Sequence, residues 1–297
     1  MKDFSIKIEI NNCEEEFNIK RANLNNGPQK HHYVPQCYLR GFSTDGINIS
    51  FYDKISNKLD HRIIEEICQI ENFYYLEHST NPYFIETTFF ANDNEDKLGR
   101  LLCTLSKVDI NSSYIPFNEG LRKKISKQII LQYMRTPKYR DIKSRNSKNA
   151  FFYQIECLLL DIFNCEMKDI QFKGDEPEFH KRLLLDDGMI QEMIIDISEA
   201  DWEFLYTKSN EFYTSDNPIV INARNDMPVT YCDAIRFFDE IFYTINPNLL
   251  LHIMAQPCRT LKRVYLKEIK EYELKEVNAL VQNNAERYVF YKKEFEF

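Results

Sequence analysis

Residues 201–222 read DWEFLYTKSNEFYTSDNPIVIN. Short aromatic and β-branched runs, Trp202 to Thr207, Phe212 to Thr214 and Pro218 to Ile221, are separated there by polar turns, the pattern of strands rather than helices. Ile241 to Ile245 and Leu249 to Met254 repeat it and are expected to pair, and Arg287 to Tyr291 closes the chain as a further strand. Upstream the rhythm is helical. Asn81-Pro82 starts a helix over Tyr83 to Val108, with apolar residues at Ile85, Phe89, Leu98, Leu101, Leu102 and Leu105. Further helices are expected at Leu121 to about Arg135, from Thr136-Pro137 onward, at Phe151 to Phe163, at Leu183 to Ile197 and, among the strands, at Leu274 to Asn284. Toward the N-terminus, Phe4 to Ile10 and Ile47 to Tyr52 alternate as strands, and Pro35 opens a short helix between them. The expectation is an α+β fold, a helix-rich middle with a mainly antiparallel sheet built from N-terminal and C-terminal strands. A single domain covers 1–297: N-terminal strands and histidine motif to residue 80, helical segment 81–200, strand-rich segment 201–297.

Bulk composition narrows the class. Hydrophobic residues make up 43% and charged residues 28% of 297, the balance of a globular protein with a substantial core. Only 7 glycines are present, and neither a G-x-G-x-x-G nor a P-loop occurs. Eight scattered cysteines without a C-x-x-C pair read as reduced thiols, and no stretch has the apolar length of a signal or a membrane span, so a cytoplasmic protein without a membrane partner is expected. The net charge is −8, yet residues 121–148 hold ten Lys and Arg against Asp141 alone, a local basic face.

Four constellations carry the candidate chemistry. His31-His32, in HHYVPQ with Gln36, offers an imidazole as base or ligand; the bland reading is that the pair caps a short helix. Gln132-x-x-Arg135-Thr136-Pro137 places a planar guanidinium at the border of an apolar stripe, ahead of a helix N-terminus, where a phosphate would be favoured. A solvated basic helix with one structural arginine is the alternative. Ser215-Asp216-Asn217-Pro218 displays a carboxylate between strands, and the same residues also build a simple Asx turn. On the helix from Tyr83, Glu86 and Asp93 are seven apart and share a face, while Glu95 points elsewhere; together with Asp216 such a face could hold Mg²⁺ or Mn²⁺, or be ordinary surface charge.

KHHYVPQCYLRGF, QYMRTP, FYTSDNPIV and VNALVQNNAERYVFY, in that order, resemble the bacterial family catalogued as domain of unknown function family 4238. The resemblance runs from about Lys30 to Tyr291. It implies that His31, His32, Pro35, Gln36, Gln132, Arg135, Ser215, Asp216, Asn217, Asn278 and Arg287 belong to a common site, and some relatives belong to bacterial accessory or antiphage gene sets. Cys37 departs from the aromatic residue often found there, which touches packing more than chemistry.

The leading functional expectation is a metal-dependent phosphodiesterase or nuclease, an antiphage effector. His31 or His32 serves as base, Asp216 holds a metal or orients water, and Arg135 stabilises phosphate charge. Candidate metal ligands are His32, Asp216 and Glu86, with Mg or Mn as the cation. Candidate substrate contacts are Gln36, Gln132, Ser215, Asn217, Lys124, Lys127 and Arg287. The alternative is a non-catalytic module that senses a nucleotide, a nucleic acid or a phage protein.

Overall fold

The computed structural model describes residues 27–77, 79–141, 176–224, 234–257 and 263–292. The expected strand Phe4 to Ile10, the expected helix Phe151 to Phe163, and Lys143, Arg145 and Lys148 lie outside these described residues.

Strands from the two ends of the chain do share an antiparallel sheet. β2 (Asn48–Asp53) and β3 (Lys58–Ile63) form a hairpin joined to β12 (Tyr288–Tyr291) and β7 (Thr214–Ser215), in the order β3-β2-β12-β7. A larger six-stranded sheet runs β5-β11-β6-β10-β9-β8, from β5 (Tyr114–Pro116), β6 (Ala200–Tyr206), β8 (Ile219–Ala223), β9 (Phe238–Asn246), β10 (Leu249–Pro257) and β11 (Arg263–Glu268). All its pairings are antiparallel except β11 with β6. The hairpin expected at 241–254 is present, with Leu251 opposite Tyr243 and Ile253 opposite Ile241. A third, two-stranded piece pairs β1 (Lys30–His32) with β4 (Gln69–Glu71).

The larger sheet is covered on both faces, which explains the unbroken apolar start of β10. Leu249, Leu251 and Ile253 join the main core with Trp202 and Ile241, packed by α3 (Glu119–Met134) and α5 (Asp187–Glu199). Leu250, Leu205, Val220 and Phe242 face the other way, onto Val277 and Val281 of α6 (Glu271–Asn284). α1 (Gln36–Leu39) begins after Pro35, which is its extended N-cap rather than its first helical residue.

Two helical expectations are corrected. Leu183 to Ile197 is two helices, α4 (Glu176–Leu184) and α5, because Asp186 caps a new start by accepting from Met189 N at 3.0 Å. Tyr83 to Val108 is not one α-helix: Ile85–Glu95 is a π-helix, continued by α2 (Asp96–Leu105). Its i→i+5 winding brings residues four to five apart onto one face, so Glu86, Phe90 and Glu95 align, whereas Asp93 is exposed.

Candidate functional site

The β1–β4 ladder holds the two histidines on opposite sides of one strand, with His32 opposite Gln69. His31 is fully buried. Its Nδ1 accepts from Tyr74 N at 2.7 Å, so the neutral ring must carry its proton on Nε2, which donates to Pro28 O at 2.9 Å. It also stacks on Tyr74, with ring centroids 5.8 Å apart. Burial lowers its pKa, keeping it neutral, and both nitrogens are occupied, so His31 ties strand to loop and offers no lone pair.

His32 differs. It is half-buried, and burial likewise lowers its pKa. Nε2 donates to Glu65 O at 3.1 Å, with the Gln36 amide 3.4 Å away, which leaves the Nδ1 lone pair without a hydrogen bond from any described residue. Its main chain is pinned from both ends. The N–H donates to Glu86 Oε1 at 3.2 Å, and the carbonyl accepts from Arg135 Nη2.

Arg135, the C-cap of α3, is 2% exposed and sits at the centre of the cluster. The same Nη2 pairs with Glu95 Oε1 at 2.9 Å, and the guanidinium carbon lies 4.1 Å over the Phe90 ring. Thus Glu86, Phe90 and Glu95, aligned by π winding, all face Arg135 or its partner His32. Burial alone would lower the arginine pKa, but Glu95, Tyr74 and Glu86 outweigh it and raise it. Burial pushes Glu86 up to about 7 despite Arg135. Three polar atoms here are buried without a partner among the described residues: Glu86 Oε2, Arg135 Nε and, one helical turn before the arginine, Gln132 Nε2. Gln36 Oε1 accepts from the exposed Arg40 at 3.0 Å, which makes these two the outer lip.

The Asp216 motif forms a second cluster. Asp216 is 3% exposed and accepts three backbone N–H groups where α6 turns into β12: Glu286 on Oδ1 at 3.0 Å, and Arg287 and Tyr288 on Oδ2 at 2.7 and 3.0 Å. Burial raises its pKa to about 6 even against those donors. Ser215 Oγ donates to Asn217 O and accepts from Asn217 N, closing the turn. Asn284 Nδ2 donates to the carbonyls of Asn217 and Ile219, and Asn278 bonds the main chain of Glu211 and Tyr213. The Arg287 side chain pairs with Asp53 of the neighbouring strand at 2.9 Å. These residues fasten α6 to the smaller sheet. The link to the first cluster runs through Lys138, three residues past Arg135, whose Nζ donates to Asn284 O and Oδ1.

His32, Gln36, Glu86 and Arg135 are therefore brought together, while His31, Asp216, Ser215, Asn217, Asn278 and Arg287 hold the scaffold around them. The expected metal set of His32, Glu86 and Asp216 is not assembled, because backbone donors engage both Asp216 oxygens. Among the described residues no group of three or more His, Cys, Asp or Glu side chains is placed to hold a metal ion. Among its described residues the basic segment is also partly taken up by packing. Arg122 is buried over Trp202 and donates Nε to Ser198 O, Arg140 donates to His180 and Phe73, and Lys123 pairs with Glu119. Lys124 is exposed and Lys127 half-buried, but Lys127 is eight residues, about 12 Å of helix, from Arg135, too far to share one phosphate with it. Glu95, Phe90 and Asn284 are the residues that sequence reasoning missed; the first two align with Glu86 only through the π winding, which the sequence does not announce.

The model of the family described as "Protein of unknown function (DUF4238)" matches residues 30–295, nearly the whole chain. The chain belongs to this family. It is the family that the four signatures resemble, and the described strands β1 and β12 fall inside the matched span. No curated protein and no solved structure matches the chain. No helix among the described residues is long and apolar enough to cross a membrane.

Proposed function

We propose that this member of the family is a phosphodiesterase acting on nucleic acid or a nucleotide, with His32 as base and Arg135 as the source of positive charge, serving as an antiphage effector. The observation that carries the reading is the pairing, in one cluster, of an imidazole whose Nδ1 has no partner among the described residues with a buried guanidinium. A neutral imidazole accepts a proton from an attacking water or ribose hydroxyl, and a guanidinium offsets charge that develops on the phosphoryl oxygens. Glu95 is the part-exposed partner of Arg135, with 26% of its side chain accessible. In the proposed complex a phosphate takes its place on the arginine, and Gln36 and Arg40 at the lip grip the chain on either side.

The test is incubation of the purified protein with RNA and DNA, in EDTA and in separate arms with Mg²⁺ or Mn²⁺, followed by product analysis on gels. Cleavage that falls at least about a hundredfold in His32→Ala supports the assignment. Absence of cleavage in every arm, or an unchanged rate in His32→Ala, rejects it. The second reading, a sensor, is favoured by one feature: Arg135 Nη2 is already paired with Glu95 and the His32 carbonyl, as a switch at rest would be. It predicts a nucleotide-dependent rise in melting temperature without product.

A further inference from the structure

The open edge of the smaller sheet carries a second, independent inference. β3 (KLDHRI) pairs with β2 on one side and with no described strand on the other, and all six of its residues are exposed. The phase of its hydrogen bonding is fixed by Ile64 N, which donates to Ile47 O at 2.9 Å. In the register Ile49↔Arg62, Phe51↔Asp60, Asp53↔Lys58, these same-phase pairs are the hydrogen-bonded ones. Leu59, His61 and Ile63 therefore turn their N–H and C=O groups outward. Asp60 Oδ1 accepts from His61 N at 2.9 Å, as expected if that N–H lies on the free side and only its own neighbour reaches it. Free edges are ordinarily blunted by proline, bulges, short length or charged side chains, and of these β3 has only the charges, Lys58, Asp60 and Arg62. This one is six residues long and regular, and exposes Leu59 at 48% and Ile63 at 43%.

We infer that β3 pairs antiparallel with β3 of a second copy of this chain, centred on His61, joining two four-stranded sheets into one of eight. Only residues 59, 61 and 63 present edge groups, so the allowed registers pair odd residues with odd. Centred on His61, Leu59 meets Ile63 of the second copy, and Asp60 meets Arg62 of the second copy, each twice by symmetry. Three N–H and three C=O groups on each strand supply six backbone bonds, His61 N exchanging Asp60 Oδ1 for the carbonyl of the second copy. Moving the centre to residue 60 sets Asp60 against Asp60 and Lys58 against Arg62; moving it to residue 62 sets Arg62 against Arg62. Like charges directly opposite are destabilising, so the strand's own charge order selects the His61 register.

Sedimentation velocity of the full chain at a series of concentrations tests this. The expected species has twice the 35.6 kDa mass of one chain. Asp60→Arg and Arg62→Asp each set like charges opposite in both symmetry-related pairs and should weaken association about tenfold or more. The double variant exchanges the two signs, so opposite charges face each other again and dimerisation returns. Far-ultraviolet circular dichroism equal to the parent shows that the single variants remain folded. A monomeric parent at all concentrations, a dimer indifferent to both single changes, or a double variant that stays monomeric would each overturn the inference.

Discussion

Glu86→Gln gives the sharpest physical test of the cluster, because it separates the carboxyl's charge from its shape. Glu86 ionises near 7 in the folded protein against about 4.5 when exposed, because burial outweighs Arg135. The sign follows from linkage. Between those values the folded state holds a proton that the unfolded chain has released, so stability falls as pH rises from 4.5 through 7 and then levels. With those two values, the carboxyl lowers stability by on the order of 1 kcal/mol at pH 5 and roughly 3 kcal/mol at pH 8. Glutamine keeps an acceptor for the His32 N–H, 3.2 Å away, but carries no charge at any pH. Urea unfolding of parent and variant at pH 5, 6, 7 and 8, taken as a difference at each pH, cancels the other titrating groups. The parent should lose roughly 2 kcal/mol or more relative to the variant across the series, with most of the loss between pH 5 and 7. A difference that stays flat within about 0.5 kcal/mol would refute the claim that Glu86 is held in a poorly solvated place beside Arg135.

Asp216→Ala should lower stability by roughly 3 kcal/mol or more, since three buried backbone N–H groups lose their acceptor at about 1 kcal/mol or more each, read by denaturant midpoint. Any nucleic-acid cleavage by the folded fraction of that variant should match the parent, because no described contact joins Asp216 to His32. Arg135→Lys keeps a cation but cannot bond Glu95 and the His32 carbonyl while stacking on Phe90, and should cost about 2 kcal/mol in the same assay. His31→Ala removes a ring bonded at both nitrogens and should destabilise by about 3 kcal/mol; a stable variant that had lost only activity would return His31 to the chemistry.

The fold was legible where local pattern and tertiary role agree. The hairpin of β9 and β10 could be read from two runs of β-branched and aromatic residues around Asn246-Pro247-Asn248, because strands pairing across a short turn need little long-range information. The site was only half legible. His32 and Arg135 were visible as residue types, but a wheel drawn for an α-helix turned Glu95 away from Glu86, and nothing in IETTFFANDNE announces π winding. Charge counting failed for a related reason. Ten basic residues between 121 and 148 look like a surface until packing shows Arg122 over Trp202, Arg135 over Phe90 and Arg140 over Phe73. Arginine pairs an aromatic-stacking plane with a charge, so it enters a core when carbonyls and a ring await it, and no sequence sum registers that.

The π-helix also explains how one short segment can join the fold and the candidate site. Its Phe90 stacks on the guanidinium, and its two ends supply the carboxylates that hold His32 and Arg135 in relation to each other. Wound as an α-helix, the same residues would put Glu95 half a turn from Glu86 and leave Arg135 buried with one weak partner, a state costing several kcal/mol. The arginine's need for compensation therefore helps to hold the unusual winding, and the winding leaves Glu95 part-exposed beside it. Glu95→Ala, which removes that carboxylate without changing the spacing, should lower the melting temperature, because the buried guanidinium loses its charged partner. A Glu95→Ala variant that kept the parent's melting temperature would show that Arg135 does not depend on Glu95, and the π winding would then owe nothing to the buried guanidinium.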